Sequence, residues 1–178
     1  MKQNVILAIS LFSIAIKTYA SQTVYIIIHG TWGHPFNWQM PGGDFYEELR
    51  ISAQEYDATT AFLNWSGKNS HEARLEGARR LVSLIKTYAP EDSINIVAHS
   101  HGGNVGILAS QLLENSDYKI DTFFALGTPI HTISYMPNMN VINRLYNLFS
   151  FGDMVQTVGG IFKRELPAVP GIRSFRPI

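Results

Sequence analysis

The sequence predicts an α/β fold: a mostly parallel sheet covered by helices on both faces. Three observations lead there. Strand-like and helix-like segments alternate along the 178 residues. The strand-like segments are nearly continuous apolar runs, as strands buried on both faces must be. Their C-terminal ends carry polar, small or turn-forming residues, namely His29-Gly30, Trp65-Ser66-Gly67, His99-Ser100-His101, Gly127-Thr128-Pro129 and Gly152-Asp153. A parallel sheet gathers such ends on one rim, where ligands bind.

The elements follow in chain order. Residues 1–20 have Lys2, an apolar stretch from Val5 to Ile16, and Thr18-Tyr19-Ala20 before Ser21. That pattern reads as a cleaved secretory signal peptide, leaving 21–178 as one domain in a secreted, periplasmic or envelope protein. At about a dozen residues, the apolar part is too short to span a bilayer comfortably, so no membrane span is expected after cleavage. Thr23–Ile28 ("TVYIII") is the first strand, stopped by Gly30. Pro35, Pro41, Gly42 and Gly43 break the chain into a loop, and Asp44 is placed to cap a helix over Phe45–Ile51.

Thr59–Trp65 is the second strand. Asn69 with Glu72 signals a helix start, and Leu75, Ala78, Val82 and Ile85 recur at helical spacing until Ala89-Pro90. Ile94–Ala98 is the third strand. Gly102–Glu114 is a helix whose Gly103, Gly106 and Ser110 would let its backbone approach the sheet. Ile120–Leu126 and Ile142–Phe151 are the fourth and fifth strands.

Composition narrows the partners. Net charge is zero, so no nucleic acid or acidic surface is expected as a partner. The chain has no cysteine, which excludes disulfides, thiolate metal sites and a cysteine nucleophile.

Ser100 carries the chemistry. A serine is a poor nucleophile without a base, an oxyanion pocket and exposure. A sharp strand–Ser–helix turn lifts the hydroxyl above the sheet and aims the His101 N–H at the reacting centre. The helix start favours negative charge there. Such a turn needs small residues two before and two after the serine, and these are Ala98 and Gly102.

Ala98-His99-Ser100-His101-Gly102 resembles the nucleophile elbow of the α/β-hydrolase superfamily, in particular its lipase and esterase branch and bacterial predicted lipases. Alanine stands where the usual Gly-x-Ser-x-Gly pattern has its first glycine. "IIIHGTWG" (Ile26–Gly33) resembles the His-Gly loop of these enzymes. The resemblance implies that the backbone N–H of Thr31 or Trp32 completes an oxyanion hole with that of His101, and that His29 packs beneath the loop. "ALGTPI" and "FLNWSGKNS" resemble further lipase segments, and Trp65 is either a pocket wall or core.

The family order places the acid after the serine and the histidine last. Asp153 in "LFSFGDMVQ" occupies the acid's position, with Glu165 as a weaker alternative. All six histidines, however, precede Asp153, and "GIRSFRPI" stands about where a last strand and its histidine loop would begin. Three readings stay open. The sequence is a C-terminally truncated hydrolase fold, with the histidine in the missing segment; or His34 or His131 serves; or the protein binds without hydrolysing. His99 and His101 flank the nucleophile, and residues beside a sharp elbow point away from it.

The expectation is therefore a serine hydrolase. It would cleave a small-molecule or lipid carboxylic ester through an acyl-enzyme on Ser100, with Asp153 orienting the base. No cofactor or metal is implied. No large cap insertion is visible, which leaves Trp32, Phe36 and Trp38 near an open, apolar mouth. An acyltransferase, or a non-catalytic binding protein on the same fold, is the alternative.

Overall fold

One sheet organises the protein in the computed structural model, which describes residues 20–32, 39–129, 134–148 and 172–175. Its strands are β1 (Thr23–Ile28), β2 (Ala58–Leu63), β3 (Ser93–His99), β4 (Ile120–Leu126), β5 (Ile142–Leu148) and β6 (Ile172–Phe175). They lie in the order β2-β1-β3-β4-β5-β6, and every pair is parallel. The helices are α1 (Asp44–Gln54), α2 (His71–Ile85) and α3 (His101–Leu112).

Parallel neighbours need crossovers, and crossovers are right-handed. The step from β1 to β2 runs one way along the sheet. The steps from β2 to β3 and from β3 to β4 run the other way. Handedness therefore puts α1 on one face and α2 with α3 on the opposite face. The side chains agree. Ile26, Ile28, Ile94, Ile96, Ala98, Phe123 and Ala125 join Leu81, Ile85, Val105 and Ala109 in one buried core. Tyr25, Val97, Phe124 and Leu126 instead line a groove of about 370 Å³ with Phe45, Leu49 and Ala53 of α1. The central strand β3 is buried from Ile94 to Ala98, which is why it reads as an apolar run interrupted only by Asn95.

The first and fourth strands run between the residues expected. Elsewhere the boundaries move, for local reasons. Strand β2 stops at Leu63 rather than Trp65, because its partner β1 ends where Ile28 faces Leu63. Helix α1 starts at Asp44 itself, so Asp44 is not its cap. Gly43 holds that position, extended, and its carbonyl takes the Glu47 N–H at 3.0 Å. Helix α2 is capped by Ser70, whose Oγ accepts the Ala73 N–H at 3.1 Å. Asn69, expected at that start, accepts from Arg74 Nη1 at 3.0 Å instead. Helix α3 begins at His101, one residue earlier than expected. The fifth strand is seen to Leu148, and its expected end at Phe151 lies outside the described residues. The close approach expected of α3 is present at Gly106, where an added Cβ would stand 2.5 Å from Phe123 Cζ.

Candidate functional site

The C-terminal ends of β1 and β3 bring His29-Gly30-Thr31-Trp32 against Ser100 and His101. At the end of β3, the chain turns into α3 through Ser100, whose φ is 51° and ψ −131°. A residue with a Cβ rarely adopts that conformation, and holding it costs about 1–3 kcal/mol. Neighbouring bonds enforce it. The Ser100 N–H donates to Leu126 O at 2.8 Å, tying the turn to β4, and Ser100 O accepts the Gly103 N–H at 2.9 Å. Ser100 itself stays partly exposed.

The turn is possible only because Gly102 and Gly30, which pack tightly around it, lack side chains. A Cβ on Gly102 would stand 2.5 Å from His29 O and 2.7 Å from Ile28 O, both backbone atoms of β1 and its extension. A Cβ on Gly30 would stand 2.9 Å from Ser100 Cβ. The His-Gly loop and the elbow are thus in direct contact.

The loop separates its two candidate oxyanion donors. The Trp32 N–H donates to Gly67 O at 3.0 Å, so it is already used. The Trp32 N–H is thus taken, and of the candidate donors expected from sequence the Thr31 and His101 N–H groups remain. Neither the Thr31 nor the His101 N–H donates to a backbone carbonyl among the described residues. Trp32 has φ 55°, and its side chain is 69% exposed on the rim.

Beneath the loop, His29 and Trp65 brace each other. Trp65 Nε1 donates to His29 O at 2.8 Å, and the two rings stack with centroids 5.4 Å apart. The His29 ring faces Gly30 O at 2.8 Å from Nδ1 and Trp65 O at 3.1 Å from Nε2. Trp65 is 2% exposed, so it is not a pocket wall; it is a buried strut below the loop. Helix α2 closes over this strand end, with Gly77 packed on the Trp65 side chain.

His101 has a second engagement. Its Nδ1 lies 2.6 Å from Thr31 Oγ1. Burial, with the nearby Arg74 charge adding, pushes its pKa down to about 4, so the ring is neutral at pH 7. Arg74 is held by Tyr135, whose hydroxyl accepts from Arg74 Nε at 2.7 Å and lies 3.2 Å from His71 Nδ1. The Thr31 side chain, Arg74 and Tyr135 were not singled out from sequence. No local pattern marks them, since their partners lie some sixty to seventy residues away.

Ser100, His101 and Thr31 are thus brought together, with Trp32 beside them and Trp65 below. Asp153, Phe36, Trp38, His34, His131, Glu165 and residues 1–19 of the expected leader lie outside the described residues. Among the described residues, no group of three His, Cys, Asp or Glu side chains could hold a metal. No helix there is long and apolar enough to cross a membrane.

No protein family's sequence profile matches the chain, and no curated protein matches it in sequence. Solved structures do match. A protein from Xanthomonas campestris pv. campestris assigned to the alpha/beta hydrolase superfamily superposes with a TM-score of 0.52 at 10% identity, over 72% of this chain and 71% of its own. A metagenomic carboxyl esterase gives 0.49 at 12%, over 75% of this chain and 51% of its own. An acetyl xylan esterase gives 0.48 at 11%, over 87% and 82%. The chain thus spans about half the length of the metagenomic esterase. The Xanthomonas superposition shows the fold: this is an α/β-hydrolase fold, a parallel sheet with helices on both faces.

Proposed function

We propose that the protein is a serine hydrolase that cleaves a carboxylic ester through an acyl-enzyme on Ser100. The observation that carries this reading is the Ser100 backbone, held at φ 51° on the turn from β3 into α3. Strain of this kind persists where the surroundings over-determine it, and it clusters at active sites. The hydrolase-superfamily protein of similar fold from Xanthomonas agrees with hydrolysis as the reaction class.

In this reading Ser100 Oγ attacks the acyl carbon and passes its proton to an imidazole. The carbonyl oxygen becomes an oxyanion, which takes hydrogen bonds from the His101 N–H at the start of α3 and the Thr31 N–H in the loop after β1. The ester C–O bond then breaks, and the alcohol leaves with the proton. Water attacks the acyl-enzyme with the same base, releasing the acid and restoring Ser100. Asp153 is the acid that orients the base, and the family order puts that base C-terminal to it, where the 178 residues hold no histidine. In this reading His101 does not serve, because a ring whose pKa burial pushes down to about 4 is too weak a base near pH 7. The exposed Trp32 beside the turn supports an apolar, lipid-like acyl group as substrate. The apolar leader supports action outside the cytoplasm.

A fluorophosphonate probe tests the reading directly. It should label the folded wild type at Ser100 and leave Ser100→Ala unlabelled. A folded wild type that takes no label would sink the hydrolase and favour a binding role for the fold.

A further inference from the structure

We propose that the Thr31 side chain is a positioning residue whose bond to His101 locks the two oxyanion donors at a fixed separation. This rests on the serine hydrolase reading above. The two N–H groups belong to segments 70 residues apart in sequence, and each segment is anchored to a different strand end. The elbow hangs from β4 through Ser100 N–H and Leu126 O. The loop hangs from the chain after β2 through Trp32 N–H and Gly67 O. Neither anchor sets the distance between the donors.

The 2.6 Å contact from Thr31 Oγ1 to His101 Nδ1 adds to the close backbone packing at Gly30 and Gly102 a direct tie between the two donor residues themselves. Gly30 brings the two backbones close enough for the bond to form, there being no room for a Cβ beside Ser100. The ring is neutral near pH 7, so with its proton on Nε2 the Nδ1 accepts from the Thr31 hydroxyl. A hydroxyl also accepts from Nδ1–H, and the latch therefore holds in either tautomer. His101 then does two jobs: its N–H binds the oxyanion, and its side chain fixes the other donor.

The test uses Thr31→Val, which keeps the shape and removes the bond, with Thr31→Ser as the conservative variant. With p-nitrophenyl acetate, Thr31→Val should lower kcat by roughly 10- to 100-fold, the scale of a misplaced catalytic group. KM should stay within about twofold, because the bond acts on the transition state. Thr31→Ser should restore kcat. His101→Leu, which keeps its N–H, should lose as much as Thr31→Val, and the double variant no more than either. The His101 Nδ1 nitrogen resonance should move in Thr31→Val and return in Thr31→Ser. Wild-type turnover in Thr31→Val, no rescue by serine, or multiplying losses in the double variant would each overturn the latch. If Thr31→Val does not fold, His101→Leu removes the same bond from its other end, and wild-type turnover there overturns the latch. Failure of the wild type to label at Ser100 overturns the hydrolase reading, and the latch's role falls with it. Labelling of the wild type and equal turnover of the variants overturns the latch alone.

Discussion

Replacing Ser100 by glycine should make the protein more stable while removing its nucleophile. At φ 51° and ψ −131°, Ser100 occupies a region that glycine enters freely and that costs a residue with a Cβ about 1–3 kcal/mol. Glycine has its own cost, since its unfolded chain is freer by about 0.4–1 kcal/mol. The difference leaves a net gain of roughly 0–2.6 kcal/mol, with about 1.3 kcal/mol at the middle of the two ranges. Alanine is the control, because it also deletes the hydroxyl but keeps the Cβ and the strain. At this partly exposed position alanine should lie within about 0.5 kcal/mol of wild type. Urea unfolding of the three proteins reads the comparison. With a slope of about 1–3 kcal/mol per molar, a gain of about 1 kcal/mol moves the midpoint up by roughly 0.3–1 M. A glycine variant no more stable than the alanine variant would refute the strain argument, and with it the observation on which the proposed nucleophile rests.

Two more predictions concern the same turn. Gly102→Ala should cost about 3 kcal/mol or more, the upper end of overpacking, because its Cβ meets two backbone carbonyl oxygens that cannot step aside. Gly42→Ala, at φ 89° with open space around it, should lose only about 1 kcal/mol, and equal losses in a thermal melt would contradict the packing argument. The depressed His101 pKa makes stability fall as pH drops from about 6.5 to about 4, because the unfolded chain takes up that proton first. Discounted for solvent around the half-buried ring, the loss is about 1–2 kcal/mol. The lowered carboxyl groups of Glu47, Glu72, Asp92 and Asp121 lose their contribution from about their ordinary values downward, so the upper part of the window, above about pH 5, belongs to the histidine. Urea unfolding across that window should show a flatter profile for His101→Gln, and an unchanged slope would show that the histidine is not the titrating group.

Much of the fold was legible because the signals are local. "TVYIII" and "IDTFFAL" are largely β-branched, aromatic or aliphatic runs closed by His29-Gly30 and by Gly127, and the strands run between those bounds. The elbow was legible for the same reason. Small residues at 98 and 102 around Ser100 are what a sharp strand-to-helix turn requires, and the clash awaiting a Cβ at Gly102 is the cause. The helix caps were less legible, because Asn69 and Ser70 can both cap and only the backbone conformation at Ser70 chose between them. Trp65 was ambiguous in sequence for a related reason. An aromatic residue at a strand end faces either solvent or core according to the helix that covers it, and here α2 covers it.

By itself, then, the order of residues determined the alternation of strands and helices, the parallel sheet, and a serine raised at the end of its central strand. These follow from φ/ψ preference and hydrophobic period, which act over a few neighbours. Tertiary structure alone decided which N–H groups remain for an oxyanion. Gly67 O takes the Trp32 N–H across 35 residues, and Thr31 meets His101 across 70. Hydrogen bonds between segments so far apart depend on how β1, β2 and β3 are ordered and registered in the sheet, and that arrangement exists only once the whole core has packed.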